Sequence, residues 1–239
     1  MAVFRIPENE IWFPAPEIAD ENGLLGVGGN LNPDTLLHAY SNGIFPWFGE
    51  GEPILWWSPD PRLMLFCEDL RVSKSMRKIL KDQKFRISFD TAFEQVIRNC
   101  SAQIRPGQEG TWITKEMMDA YTRLHLSGFA HSAEAWLGND LVGGLYGVSL
   151  GNAFFGESMF SKKSNASKAA FITLVETLRE KGFNWIDCQV PTEHLISLGA
   201  KEIPRGEFLE LLSTAMYFPT LRGSWSEWKP YQFSDGSSG

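Results

Sequence analysis

The stretch from residue 131 to 160 constrains the fold more than any other part of the chain. Three β-rich runs, His131 to Leu137, Leu141 to Leu150 and Ala153 to Phe160, are separated only by Gly138-Asn139-Asp140 and Gly151-Asn152. Turns this short, built from residues that tolerate positive φ, join neighbouring antiparallel strands and nothing else. A three-strand meander is therefore predicted. A helix from Ser164, closing at Gly182, follows it, with Ala169, Ile172, Val175 and Leu178 at helical spacing. A further strand is read over Asn184 to Val190. Upstream, the spacing predicts a strand at Leu63 to Cys67, a short helix capped by Ser73, and a strand at Phe85 to Phe89. Helices capped by Asp90 and Thr114 come next, separated by a polar loop from Gln103 to Gly110, and short helices at Thr192–Ser197 and Arg205–Met216 close the chain. This is a mixed α+β order with a central, mostly antiparallel sheet. Meander, helix, strand is also the core order of the acyl-CoA N-acyltransferase (GNAT) architecture, an analogy of fold that fixes no function.

Before Pro61 the texture differs. Gly, Pro and Trp are dense, a helix starts at Asn32-Pro33 and stops near Gly43, and the prolines of Ile44 to Pro61 preclude a central strand. A small irregular N-terminal domain (1–61), a GNAT-like domain (62–233) and a flexible Ser/Gly tail (234–239) are expected. No apolar run approaches the ~20 residues of a membrane span, and the first residues lack the apolar core of a signal peptide. Cys67, Cys100 and Cys188 are odd in number and contain no CxxC, which disfavours a disulfide framework or zinc site and fits a reducing cytoplasm.

The net charge of −7 argues against a nucleic-acid partner until its distribution is considered. Residues 71 to 86 hold Arg71, Lys74, Arg77, Lys78, Lys81, Lys84 and Arg86 against Asp82 alone, a local +6 on a remainder of −13. Lys74, Lys78 and Lys81 recur at i, i+4 and i+7 and share one helix face. A solvated face and a phosphate-binding face both fit that pattern.

Three further features carry candidate chemistry. Glu157 stands in an apolar run, where period two puts Phe155, Glu157 and Met159 on one face; a carboxylate there is paired, protonated or simply outward. Asp187 and Gln189 share a face by the same rule and could hold an amine between them, or face solvent, while Cys188 points into the core. Trp47, Trp56, Trp57 and Trp112 lie in loop-like contexts where an indole can stack on a base or pack inward. The four histidines stand in no metal-ligand spacing, and no complete phosphate-binding glycine loop is present.

Taken together, several runs resemble the bacterial leucyl/phenylalanyl-tRNA–protein transferases. They are Asn22 to Gly29, Gly43 to Phe48, Pro53 to Arg62, Gly110 to Thr114, Leu141 to Gly147, Gly156 to Ser161, Asn165 to Lys168 and Ile186 to Gln189. The resemblance implies a cytoplasmic, monomeric enzyme of the N-degron pathway. It would move Leu or Phe, with Met as a further donor to consider, from aminoacyl-tRNA to an N-terminal Lys or Arg of an acceptor protein, without cofactor, metal or membrane. It further implies that Trp47 and Trp112 hold the terminal adenosine, and that Leu145, Phe154, Glu157 and Met159 line the side-chain pocket. Asp187 and Gln189 would position the attacking amine, with Asp187 guiding its proton, and Lys74, Lys78 and Lys81 would contact the tRNA backbone. Three rivals remain at this stage: a coenzyme-A-dependent N-acetyltransferase, a non-catalytic tRNA-binding protein, and a peptide-binding module built on the tryptophans.

Overall fold

A computed structural model describes residues 3–103 and 112–234. Most of the loop expected over Gln103–Gly110, the Gly110-Thr111 part of one motif and nearly all of the expected tail lie outside the described residues. The N-terminal region holds β1 (Phe4–Ile6), β2 (Leu24–Gly28), α1 (Pro33–Ser41), β3 (Phe45–Pro46) and β4 (Leu55–Trp57), whose strands form a sheet ordered β1-β2-β4-β3. The glycine run therefore contains a strand that composition concealed. Pro46 sits on the edge strand β3, where its missing N–H costs no ladder bond. The prolines of 44–61 do not preclude an interior strand, contrary to the sequence expectation: they fall outside Leu55–Trp57, and β4 is bonded on both sides, to β2 and β3.

The larger sheet holds seven strands: β5 (Arg62–Phe66), β6 (Arg86–Phe89), β7 (Ala130–Leu137), β8 (Asp140–Leu150), β9 (Ala153–Ser161), β10 (Trp185–Gln189) and β11 (Lys201–Ile203). Their order is β11-β5-β10-β9-β8-β7-β6, and every pairing is antiparallel except β9 with β10. That parallel pair is joined by a helix, α5 (Ala166–Glu180), as a parallel crossover requires. The expected meander is present as β7-β8-β9. The remaining helices are α2 (Lys74–Lys81), α3 (Phe93–Ser101), α4 (Lys115–Leu126), α6 (Glu193–Ser197) and α7 (Arg205–Ala215). None is long and apolar enough to cross a membrane.

Three caps match the sequence reading: Ser73, Thr114 and Thr192 accept from the N–H groups of Met76, Met117 and Leu195. Asp90 does not cap α3. Its carboxylate accepts from the N–H groups of Ser132 and Trp225 and meets His131 Nδ1 at 2.8 Å, and α3 begins at Phe93 with Ala92 in the cap position, two residues later than expected. Long-range polar partners outcompete the local cap.

Apolar side chains fill both faces of the large sheet. On one side α1, α3 and α4 pack with the N-terminal sheet around Trp56, Tyr121, Phe155 and Phe160. On the other, α2 and α5 cover Leu145, Phe154, Ile186 and Cys188. Gly143 permits the close approach of α5; a Cβ there would lie 2.6 Å from the Cβ of Ala166.

Candidate functional site

The site forms where β9 and β10 both lose regular geometry. Opposite β8, β9 shifts register between Tyr146–Ser158 and Gly147–Gly156, a β-bulge that inserts one extra residue. Gly147 makes room for it: a Cβ would lie 2.3 Å from the Phe155 carbonyl oxygen. The bulge cancels the period-two expectation. Phe155 packs on the α3–α4 face, whereas Met159 packs on the α5 face opposite Leu145, so the two do not point together. Glu157, inside the bulge, turns toward the helices.

Its carboxylate accepts hydrogen bonds from Tyr40 Oη (2.7 Å), Tyr121 Oη (3.1 Å) and Gln189 Nε2 (3.3 Å). Tyr40 and Tyr121, from α1 and α4, are fully buried, and their hydroxyl oxygens lie in contact with each other. Burial pushes the Glu157 carboxyl up to about 7; the tyrosine hydrogen bonds pull it down, and the nearby Asp187 charge adds to the rise. Burial also holds both phenols well above their ordinary value, so they stay protonated and donate.

Asp187, one strand over, has another environment. Arg62 reaches it with two parallel bonds, Nε to Oδ1 at 2.8 Å and Nη2 to Oδ2 at 2.6 Å, both side chains out of water. The guanidinium also donates to the Gly43 carbonyl and lies between the rings of Phe45 and Phe208, 4.8 and 4.5 Å from their centroids. Oδ1 accepts from the backbone N–H of Gln189 as well. Gln189 adopts φ +59°, beyond a second register shift between Asp187 and Gln189. The Asp187 carboxylate is thus engaged by Arg62 and the backbone, and it fixes the left-handed turn that aims the Gln189 side chain at Glu157.

These groups border a cavity of about 310 Å³ lined by Leu145, Met159, Phe171, Ile186, Leu195 and others, with Glu157 and Gln189 among the polar residues. Of the expected pocket residues, Leu145, Glu157 and Met159 line it. Phe154 does not: it is 1% exposed on the α5 face, its ring 6.1 Å from that of Trp225. It shares the α5 face with the lining residues but packs toward Trp225, behind the cavity wall. Cys188 is buried as expected and also borders the cavity; burial raises its thiol well above the ordinary value.

Trp47 is 36% exposed and packs on Trp57, whose indole N–H donates to the Trp47 carbonyl. Trp112 is half-buried at the edge of the α3–α4 core. Neither lines the cavity. Lys74, Lys78 and Lys81 are exposed on α2, whose Met76 and Leu80 are buried beneath them. Sequence reasoning missed Arg62, Tyr40 and Tyr121. The two tyrosines left one signal, a hydroxyl at a core-facing position of a helix, which must find a partner. Among the described residues no group of three His, Cys, Asp or Glu side chains could hold a metal ion.

Fold and site define an α+β protein whose sheet opens into an apolar cavity bounded by a buried carboxylate and an amide. The family model for the leucyl/phenylalanyl-tRNA protein transferase matches residues 64–213, and that for its N-terminal domain matches 29–60. The leucyl/phenylalanyl-tRNA–protein transferase of Anaeromyxobacter sp. (strain Fw109-5) is 58% identical over 225 residues, 94% of this chain and 95% of that one. That of Myxococcus xanthus (strain DK1622) is 56% identical over 90% of this chain and 92% of its own. The chain belongs to the leucyl/phenylalanyl-tRNA protein transferase family. Among solved structures, that of L-PGS from Bacillus licheniformis aligns at TM-score 0.39 and 12% identity, over 71% of this chain and 55% of that one.

Proposed function

We propose that this protein moves Leu or Phe from aminoacyl-tRNA to the N-terminal Lys or Arg of an acceptor protein, marking it for degradation in the cytoplasm. The observation that carries the reading is the apolar cavity bordered by Glu157 and Gln189. An apolar side chain fits among Leu145, Met159 and Phe171, while the reacting ester lies near the polar groups. Family membership supplies the donor and acceptor classes. The finer fold comparison, to the GNAT architecture, rests on the order β7-β8-β9-α5-β10. The turn entering α5, Ser161 to Asn165, has no glycine to cradle a pyrophosphate, which favours an aminoacyl-tRNA donor over coenzyme A. We propose residues 1–61 as the domain that brings Trp47 to the terminal adenosine, with Trp112 across from it, and 62–233 as the catalytic domain acting as a monomer. Lys74, Lys78 and Lys81 would neutralise tRNA phosphates.

The ester is already activated, so the protein has mainly to position the reactants and handle a proton. With its Nε2 donated to Glu157, the Gln189 amide turns its oxygen away from that carboxylate, free to accept from an incoming α-amine. Glu157, near half-ionised at neutral pH, takes the proton that the nitrogen sheds as the C–N bond forms. The ester C–O bond breaks as the tetrahedral intermediate collapses, and the leaving ribose oxygen takes the proton that Glu157 received, which returns the carboxylate to its starting state. Asp187 acts as a positioning residue through Arg62 and the Gln189 turn. The test is transfer from labelled Phe-tRNA to an Arg-starting peptide, with labelled acetyl-CoA as the competing donor. Labelling from acetyl-CoA alone would overturn the reading; tRNA binding without product would leave only a carrier.

A further inference from the structure

A second cavity, of about 370 Å³, lies on the same face of the sheet, between the end of α2, β6, α5 and residues 230–233. Ala169 and Thr173 of α5 line it, while Phe171 of the same helix lines the aminoacyl cavity. At 3.6 residues per turn, Ala169 and Thr173 share one flank and Phe171 lies on the other. The two cavities therefore flank α5, about 10–12 Å apart, one helix diameter.

The lining combines what a nucleobase requires. Phe85, Tyr231 and Phe233 supply ring faces, Gln83 and Gln232 supply amides, and Arg86 supplies a cation. The Gln83 amide donates to the Gln232 side-chain oxygen at 2.9 Å. Gln83 holds this place at φ +49°, the residue after the α2 cap, where glycine is the relaxed choice. A strained, non-glycine backbone is kept where its side chain faces a cavity. The charge around the opening is complementary to phosphate: Lys81, Lys84 and Arg86 belong to the +6 stretch of an otherwise acidic chain.

We propose that this cavity receives an unpaired nucleotide near the 3′ end of the aminoacyl-tRNA, and so gives the donor a second anchoring point. The inference rests on the donor assignment above. Aromatic faces stack on the base, the amides meet its edge, and the α2 lysines hold the adjoining phosphates.

The experiment walks a single abasic substitution through the last five nucleotides of the tRNA and measures Kd for wild type, Gln83→Gly and Tyr231→Ala. In wild type, one internal position weakens binding roughly 5- to 100-fold, the range expected of a stacked base. That penalty shrinks to under about twofold in Tyr231→Ala, the coupling expected of groups in contact. Gln83→Gly weakens intact tRNA about fivefold, and its melting temperature stays at or above that of wild type because the left-handed strain is relieved. Abasic penalties that are the same in wild type and both variants overturn the proposal, as does binding that is indifferent to all five positions. Coupling without Phe transfer to an Arg-starting peptide sinks the donor reading and leaves the cavity assignment standing; transfer without coupling does the reverse.

Discussion

Asp187 and Glu157 sit on adjacent parallel strands and meet opposite kinds of partner. Asp187 is matched by a buried guanidinium with two parallel bonds and a backbone N–H. Glu157 has no such cation on it; two phenols and an amide hold it, and its carboxyl rises to about 7. The difference teaches that burial alone does not make a carboxylate reactive. A charge neutralised by Arg62 is a structural anchor, whereas one held only by neutral donors can exchange a proton near physiological pH.

The comparison breaks most visibly on the Asp187 side. Asp187→Ala leaves Arg62 buried and uncompensated, and should cost about 3–5 kcal/mol in urea unfolding at pH 7, with loss of transfer in step. A cost below about 1 kcal/mol would show that Asp187 is no anchor. Glu157→Gln should act the other way round: kcat in single turnover falls about 10²-fold or more, with little loss of stability, because the amide keeps the shape and an acceptor. Retained kcat would move the proton elsewhere.

Both outcomes bear on what the sequence disclosed. The meander was legible because Gly138-Asn139-Asp140 and Gly151-Asn152 are local chemistry, and Ser73, Thr114 and Thr192 announced their helices for the same reason. The site was legible only as a list of residues. A period-two reading cannot see the extra residue at Gly156-Glu157, so Phe155 and Met159 were placed together and Glu157 lost its helix-side partners. Arg62 meets Asp187 across 125 positions, and Tyr40 meets Glu157 across 117. No local pattern encodes such pairings. They follow from the order of strands in the sheet.

A smaller effect concerns stability against pH. The Glu157 carboxyl is higher in the folded chain than its ordinary value of 4.5, so the folded state binds the extra proton. Its contribution to stability is full below about pH 4.5 and is lost as pH rises through about 7. Wild type should thus lose on the order of 3 kcal/mol relative to Glu157→Gln between pH 4.5 and 8, read by paired urea titrations. A gap that does not change with pH would mean the carboxyl is not raised. Smallest of all, Leu145→Met is close to volume-conserving in the cavity wall and should cost less than about 1.5 kcal/mol, while shifting the Leu-to-Phe transfer ratio only severalfold. A shift beyond about 100-fold would give Leu145 a larger part in side-chain selection.

The central claim is that the Glu157 carboxyl takes the proton of the attacking amine, and one paired measurement tests it. The Glu157 carboxyl is titrated by ¹³C NMR, and the pH dependence of single-turnover transfer is followed, in wild type, Tyr40→Phe and Tyr121→Phe. Each phenol lowers the carboxyl, so removing it should raise the titration midpoint, and the rising limb of the rate profile should move to higher pH by the same amount. The amine of the acceptor peptide is unchanged throughout and cannot supply that shift. A carboxyl midpoint that moves while the rate limb stays fixed would contradict the account.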